Sequence, residues 1–348
     1  MSHPRQIVDL SIMTIIKFFL VVIVLFFLYL IKEVLAILFV ALIFASAVDP
    51  WVDALEKIRF PRWLSILLIY VVLLVAMAFV IVLLIPPITQ QTIQLADNFP
   101  EYFQKAGAVF ENLKNFSAEH GILGELDKGL NALKGNVTGM VSSVFSSVAG
   151  FFGGVVSFFV VLVITFYMTI EESAIKRVLT YLLPDKYQPF TVQLINKIQR
   201  KIGDWLKGQL ILSLILGVLV YVGLLILGVN YALILGVVAA FGEFVPYLGP
   251  VLAAIPSVFL AFTQSPIKAL FVLIFYIIIQ QIENQILVPK VMQKAVGLNP
   301  IVSIVALLIG AKVAGLVGVV LAIPVATAIS VVVKEFWATK ESVEETSG

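Results

Sequence analysis

Cysteine is absent from this chain of 348 residues, and histidine occurs only twice. The lack of cysteine excludes disulfides, thiol catalysis and Cys-ligated metal or iron–sulfur centres, and two histidines argue against a His-rich metal site. Charged residues are scarce as well, at 13%, and the net charge of +2 gives no indication of a nucleic-acid partner. The HExxH, GxSxG and Walker A patterns are also missing, so we expect no enzyme activity, no metal and no cofactor.

Apolar residues are what the sequence has in excess. They make up 61% of the chain, against roughly 45–50% in a soluble domain, which predicts an all-α polytopic membrane protein. A spanning helix needs about 20 apolar residues. Candidate spans occur at residues 11–31, 34–48, 62–86, 147–170, 208–228 and 267–288. No small-residue cleavage site follows the first of them, so we interpret it as a spanning helix and not as a signal peptide.

An internal repeat lies near the C-terminal end of the chain. Residues 228–253 and 297–322 align at an offset of 69 (297 − 228). The matched pairs are Gly228/Gly297, Asn230/Asn299, Gly249/Gly318, Val251/Val320, Leu252/Leu321 and Ala253/Ala322. Each copy begins with an apolar run too short to cross a bilayer, continues through a Gly-rich break and ends in a second apolar run. Paired, broken hydrophobic segments of this kind are typical of transport sites in membrane proteins.

Turn and cap residues delimit the two copies. We predict Asn230 and Asn299 as N-caps, with Pro300 at the first helical position. The predicted breaks are formed by Pro246, Gly249 and Pro250 in the first copy and by Gly310, Gly315 and Gly318 in the second. Each copy is either a re-entrant hairpin or a pair of short helices that cross a thin part of the membrane. The shortness of the apolar runs favours hairpins. The expected architecture is therefore about six spanning helices plus two hairpins, equivalent to about eight spans.

Lysine and arginine indicate the orientation in the membrane. They concentrate in segments 49–62, 171–207 and 289–298 and in the C-terminal tail, whereas segment 87–145 carries more acids than bases. Because basic loops stay in the cytoplasm, both termini are predicted to be cytoplasmic and segment 87–145 to be extracytoplasmic. The helix before the first copy then runs outward and the helix before the second runs inward, so the two copies are inverted relative to each other.

The chain accordingly divides into successive parts. These are N-terminal scaffold helices (1–86), an extracytoplasmic helical insert (87–145), a spanning helix followed by a basic amphipathic helix (146–207), an inverted-repeat transport core (208–334) and a cytoplasmic tail (335–348). In the insert, apolar residues recur at spacings of four and three from Ile88 to Phe116, a heptad-like stripe that serves either an oligomer contact or packing on a neighbouring helix. The amphipathic segment 187–207 either lies on the cytoplasmic leaflet or leads directly into the next span.

Glu243 is the most informative single residue, because it lies at the predicted break of the first copy, in the sequence FGEFVPYLGP. A carboxylate at membrane depth is costly and by default suggests an ion or substrate pathway. Removal from water favours the protonated form, so that Glu243 can bind a proton. The alternative is a carboxylate that reaches water at a hairpin tip or is paired structurally. The repeat places Lys312 at the equivalent position, where it either meets Glu243 across the pseudo-twofold axis or extends to a membrane interface.

A polar run interrupts the helix predicted at 267–288. On a helix, Gln280, Glu283 and Asn284 share one face. Polar groups in lipid need partners, so this face is expected to point into protein or a cavity, where it would bind substrate or a cation. The alternative is that these side chains hold neighbouring helices together by hydrogen bonds.

Two stretches resemble the autoinducer-2 exporter family of bacterial permeases. They read QQIENQILVPKVMQKAVGLNPIVSIVALLIGAKVAGLVGVVLAIPVA and FGEFVPYLGPVLAAIP. The residues that carry the resemblance are Glu283, Asn284, Pro289, the turn from Gly297 to Pro300, Gly318 and Pro324. The resemblance implies a multi-spanning permease of the bacterial inner membrane that forms homo-oligomers. It implies export of the quorum signal autoinducer-2 for some members, and sodium or lithium/proton antiport for others.

Three functions remain open at this point. The first is a secondary transporter that exports a small organic solute such as autoinducer-2, coupled to a proton at Glu243. The second is a sodium (or lithium)/proton antiporter without an organic substrate. The third is a non-transporting oligomeric scaffold in the lipid bilayer, assembled through the heptad-like stripe, which would leave the broken repeat unexplained.

Overall fold

The computed structural model describes residues 12–119, 155–171, 181, 183–292 and 297–347, and all regular structure in these ranges is helical. Five helices are long and apolar enough to cross a bilayer, and shorter apolar helices accompany them. The predicted all-α polytopic class is therefore confirmed. The helices are α1 (Ile12–Leu30), α2 (Lys32–Lys57), α3 (Arg62–Glu119), α4 (Val155–Ile170), α5 (Gln188–Ile226), α6 (Ala232–Gly242), α7 (Leu248–Gln264), α8 (Pro266–Ile282), α9 (Val288–Met292) and α10 (Pro300–Ser347).

Helix α3 is a single helix of 58 residues that continues through Pro86, Pro87 and Pro100. At about 1.5 Å per residue it reaches roughly 87 Å, far beyond a hydrocarbon core of about 30 Å. The span and the start of the insert therefore form one continuous helix, without a break at residue 87. Leu95 and Tyr102 of the heptad-like stripe pack against the core between α5 and α8. This part of the stripe covers a neighbouring part of the same chain, and residues 120–145 of the insert lie outside the described residues.

Helix α5 is also continuous, over 39 residues. It includes residues 188–207 of the amphipathic segment, which is thus the lead-in to the following span. The apolar face of this segment is covered by protein, because Ile202 and Trp205 are buried in a cluster with Ile43 of α2 and Leu307 of α10. Of the two alternatives for this segment, the structure therefore favours the direct lead-in.

The first repeat copy is a helical hairpin made of α6 and α7. Residues 243–247 connect the two helices, and Tyr247 has a left-handed backbone (φ 67°). At the closed end, a Cβ atom on Gly242 would lie 3.0 Å from the carbonyl oxygen of Gly249, and a Cβ on Gly249 would overlap the carbonyl of Gly242. The chain reverses direction here, and the backbones of Gly242 and Gly249 lie so close together that no side chain fits between them.

The second copy is a hairpin within α10. Its helical geometry is interrupted at Ala314 and Gly315, where Gly315 has φ 57°. A Cβ atom on either Gly310 or Gly318 would overlap the carbonyl of the other. Eight residues of straight helix would hold them about 12 Å apart, so the contact requires the chain to turn back on itself. Gly249 and Gly318 are equivalent in the repeat, and both lie at the closed end of their hairpin.

Four residues predicted as caps or breaks lie at the start of a helix or between two helices. Asn299 accepts a hydrogen bond from the backbone N–H of Ile301 at 2.9 Å, and Pro300 is the first residue of α10. Pro246 lies in the connection between α6 and α7, whereas Pro250 lies in the first turn of α7, where a missing N–H costs no helical hydrogen bond.

The prediction that Asn230 caps α6 is wrong. The residue before the helix is Tyr231, which has a left-handed backbone (φ 61°). The side-chain amide of Asn230 instead donates to the Tyr102 hydroxyl at 3.4 Å, and Asn98 donates to the Tyr231 hydroxyl at 3.2 Å. Contacts with α3 thus take the place of a local cap.

Close backbone contacts fix α6 against α5. A Cβ atom on Gly217 of α5 would lie 2.7 Å from the Cβ of Ala240, and one on Gly236 of α6 would lie 2.9 Å from the carbonyl oxygen of Gly217. Small residues at a crossing point let two helices approach closely in a membrane. This contact positions the end of α6 relative to α5.

Arg62 joins α2, α3 and α4, and its replacement gives a first testable prediction. It donates from Nε and Nη2 to the carbonyl oxygen of Thr169 at 3.2 and 3.1 Å, and from Nη1 to Glu56 at 3.0 Å. A lysine cannot reproduce this forked geometry. We expect Arg62→Lys to lower the free energy of unfolding by about 1–2 kcal/mol, measured by thermal denaturation of the protein in detergent. Arg59→Lys, at an exposed position three residues earlier, should change nothing measurable, and equal losses in both variants would contradict this role of Arg62.

Candidate functional site

Two glutamates from distant parts of the chain are both buried inside the protein. Glu243 directly follows α6, and Glu283 directly follows α8. Each is only 4% exposed, and their carboxyl groups are close enough to interact electrostatically. Among the residues that the structure describes, the Oε2 atom of each has no hydrogen-bond partner. We call Glu243 and Glu283 the acidic pair.

Local backbone irregularities place both members of the acidic pair. Glu243 is the first residue of the connection between α6 and α7, so it occupies the break at the closed end of the first hairpin. Glu283 begins a π-helical segment, Glu283–Leu287, that separates α8 from α9. Such π segments within α-helices are frequently found at functional sites.

The polar side chains at residues 280–284 are buried to different degrees in the structure. Sequence spacing placed Gln280, Glu283 and Asn284 on one side of an α-helix. In the structure Glu283 is buried, Gln280 is half-buried and Asn284 is exposed. The three side chains therefore differ in burial, and Glu283 alone of them is buried.

Lys312 does not approach the acidic pair. It is exposed and lies just before the break in α10, and it forms no ion pair with Glu243. Of the two alternatives for Lys312, the contact with Glu243 across the repeat axis is therefore absent from the structure. Helices α6 and α7 contain no charged residue at all, so the hairpin that carries Glu243 offers it no basic partner.

Gln209 is a site residue that sequence reasoning missed. It lies on α5, is 2% exposed, and donates from Nε2 to the backbone carbonyl oxygen of Glu243 at 2.6 Å. One turn later, the Ser213 hydroxyl donates to the carbonyl oxygen of Ala240 at 2.6 Å. The sequence did contain an indication of this site. Gln209 and Ser213 are four residues apart in an apolar stretch, so their side chains lie on one face of the helix.

The arrangement can hold protons or a cation. Two carboxyl groups removed from water repel each other when both are ionised, and a bound proton or cation removes that repulsion. Hard oxygen ligands of this kind suit alkali and alkaline-earth cations better than transition metals. Among the residues that the structure describes, no group of three or more histidine, cysteine, aspartate or glutamate side chains could hold a metal ion.

Comparison with known proteins gives a consistent result over nearly the whole chain. A family model described as AI-2E family transporter matches residues 18–338. The putative transport protein YueF of Bacillus subtilis is 33% identical over 289 residues, which cover 80% of this chain and 77% of YueF. The putative transport protein YrrI of the same organism is 27% identical over 312 residues, or 88% and 87% of the two chains. The AI-2 transport protein TqsA of Escherichia coli is 24% identical over 315 residues, or 87% and 86%.

Proposed function

Because the chain belongs to the AI-2E transporter family, we propose that it is a secondary transporter that exports a small organic solute, such as autoinducer-2, coupled to a proton held by the acidic pair. The observation that carries this proposal is the burial of Glu243 and Glu283, each with a carboxyl oxygen that has no hydrogen-bond partner among the described residues. A buried carboxyl group without a partner is expensive, and in membrane proteins such groups mark ion and proton pathways. No enzymatic step is part of the proposal.

The hairpins give the proposal a structural basis. The proposed core 208–334 contains both hairpins, which the sequence predicts to be inverted, and transporters with inverted repeats move one such unit against the rest around a central site. In this scheme helices α1 to α4 form the scaffold, in the bacterial inner membrane with both termini in the cytoplasm, and further copies of the chain assemble around it. The solute would bind next to the acidic pair, with half-buried Gln280 at its side.

Coupling follows from the charge of the acidic pair. When both carboxyl groups are ionised, moving them through a region of low dielectric constant is costly. A bound proton lowers the charge and thereby the cost of the movement. The loaded core therefore moves more readily than the empty one, which links transport to the proton gradient.

Sodium (or lithium)/proton antiport is a second candidate, and the same site favours it for a separate reason. The unpartnered Oε2 atoms of the acidic pair and the carbonyl oxygen of Glu243 are oxygen donors of the type that alkali cations prefer. A cation and a proton would then compete for one site. The exposed Asn284 and Lys312 have no part in either proposal.

Reconstitution into liposomes that contain a trapped pH dye tests these proposals. Autoinducer-2, sodium chloride or lithium chloride is added outside, and potassium chloride with a potassium ionophore serves as the control for leakage. Proton movement that requires autoinducer-2 supports the proton-coupled exporter. Proton movement with sodium or lithium alone supports antiport. If none of these solutes moves protons and labelled autoinducer-2 does not cross the membrane, both proposals are wrong, and the scaffold function gains support.

A further inference from the structure

We propose that the contact between Tyr102 and Tyr231 is a latch, which holds the first hairpin against α3 and separates each time the transport core moves. The inference rests on the proposed function, in which the core 208–334 moves against the scaffold helices α1 to α4. Tyr102 lies on α3, within segment 87–145, which the sequence predicts to be extracytoplasmic. Tyr231 is the residue before α6, at the end of the hairpin opposite Glu243.

Four neutral polar side chains meet at this end of the hairpin, two from α3 and two from the connection before α6. The rings of Tyr102 and Tyr231 lie edge to face, with centroids 6.1 Å apart, and their hydroxyl oxygens are 3.3 Å apart. Asn98 donates to the Tyr231 hydroxyl at 3.2 Å, and Asn230 donates to the Tyr102 hydroxyl at 3.4 Å. We call Asn98, Tyr102, Asn230 and Tyr231 the latch cluster. It is a direct hydrogen-bonded contact between the proposed scaffold and the proposed core.

The latch cluster consists of contacts that can separate and form again. Hydrogen bonds in proteins are usually about 2.7–3.0 Å long, so the distances of 3.2–3.4 Å indicate weak bonds. Asn230 is exposed and the other three side chains are half-buried, so water can replace each partner after separation. Since the cluster contains no ion pair, separation leaves no unpaired buried charge. Tyr231 also has a left-handed backbone (φ 61°), which is uncommon for tyrosine and strains the closed contact.

The contact between α2 and α5 is of the opposite kind. A Cβ atom on Gly203 of α5 would overlap the backbone carbonyl of Ser46 on α2, and Ser46 is 4% exposed. Widening this crossing would open a cavity in a close-packed interior, which is costly. Helix α6 is fixed to α5 by the contacts of Gly217 and Gly236, so the two helices move together. Helix α5 extends about 35 Å from Gly203 to its end at Ile226, so a small tilt at the crossing displaces the latch cluster by several ångströms.

Pulsed electron paramagnetic resonance of the full chain in liposomes measures how often the contact is open. The 348 residues contain no cysteine, so spin labels attach only at introduced cysteines. Labels on Asp97→Cys of α3 and Ile226→Cys of α5, both at exposed positions, report the distance between the scaffold and the core. We expect two distances for this pair, either without solute or with autoinducer-2 or sodium present. Ile226→Cys with Ile267→Cys, both within the core, should give one distance.

Tyr102→Phe tests the latch cluster itself. Phenylalanine keeps the ring but lacks the hydroxyl group that bonds Tyr231 and Asn230, so the ratio of open to closed molecules should rise about fivefold. Tyr70→Phe is the matched control, because Tyr70 also lies on α3 but donates within the scaffold, to the carbonyl oxygen of Leu162 on α4 at 3.5 Å. This control should leave the ratio unchanged.

A reversible bridge tests whether transport requires the latch to open. Asn98→Cys and Tyr231→Cys are joined by a short bis-methanethiosulfonate reagent, and the initial transport rate in liposomes is measured before bridging, after bridging and after reduction with dithiothreitol. We expect the bridge to lower the rate at least about tenfold, as expected for a blocked conformational step, and reduction to restore it. Asp97→Cys with Glu101→Cys, one turn apart on α3 and both exposed, should transport equally with and without the bridge.

Three results would overturn the inference. They are a single distance between positions 97 and 226 in every condition, equal ratios in Tyr102→Phe and Tyr70→Phe, and an unchanged transport rate in the bridged 98–231 pair. If the 98–231 pair does not fold, the distance measurements decide, because their labels lie outside the latch cluster. The proposed function fails separately, when the wild-type protein moves neither autoinducer-2 nor protons, and the distances still show whether the contact opens.

Discussion

The Glu243→Gln variant is expected to insert and fold normally but to lose proton-coupled transport, by at least about tenfold in initial rate, which corresponds to ~1.4 kcal/mol. Glutamine has the shape of a protonated glutamate and can keep neutral hydrogen bonds, but it can neither bind nor release a proton. Because the side chain is buried, removing its charge should leave thermal stability unchanged or raise it. The measurement is the rate of dye-reported proton movement in liposomes across neutral pH, beside melting of the same preparation.

Two further variants test the same site: Glu283→Gln removes the second carboxyl group, and Gln285→Ala is its control. Glu283 is the second member of the acidic pair, so its loss should also reduce coupled transport. Gln285 belongs to the same π-helical segment but is exposed, so its replacement should leave the rate close to that of the wild type. A wild-type rate in Glu243→Gln would contradict the assignment of the coupling site. Equal losses in Glu283→Gln and Gln285→Ala would mean that the segment, and not the carboxyl group, matters.

Gly249→Ala is expected to destabilise the protein by about 3 kcal/mol or more, the upper range for overpacking in a close-packed interior. The new methyl group would overlap the backbone carbonyl of Gly242, which cannot move aside as a flexible side chain can. The closed end of the first hairpin must then open, and Glu243 moves away from Gln209 and Glu283. Thermal melting in detergent measures the loss of stability, and the transport rate should fall with it.

Gly107→Ala is the control for this effect. Gly107 lies within α3, and no atom lies within 4 Å of the position that its Cβ would occupy. An alanine at this position reduces the conformational freedom of the unfolded chain. The free energy of unfolding should therefore stay unchanged or rise slightly. Gly318→Ala, at the equivalent end of the second hairpin, should behave like Gly249→Ala. A Gly249→Ala protein as stable as Gly107→Ala would rule out the tight closure of the hairpin.

Features that depend on neighbouring residues could be predicted from the sequence. The spanning helices follow from apolar run lengths. Asn299 and Pro300 were assigned from local capping chemistry, and the structure places them at the start of α10. Glu243 was selected because a lone carboxylate interrupts an apolar run. All these patterns arise from interactions within a few positions along the chain.

Features that depend on contacts between distant segments could not be predicted in this way. Asn230 has the composition of a cap, but a hydroxyl group on α3, at Tyr102, engages its side chain. The spacing of Gln280 and Asn284 suggested a shared face, and only the folded structure shows that Gln280 is half-buried and Asn284 exposed. Lys312 is equivalent to Glu243 in the repeat, and equivalence in sequence does not bring two side chains together.

The sequence by itself determined that this is a helical membrane protein with two broken, repeated segments and a carboxylate at one of the breaks. Run length, cap residues and the cost of a charge in lipid suffice for those conclusions. Only the tertiary structure decided that Glu283 is the neighbour of Glu243, that Gln209 holds it, and that glycine contacts close both hairpins. The physical reason is that these contacts join residues on different helices. Their distances depend on how closely the helices pack and where each chain reversal falls, and no spacing along the chain specifies either.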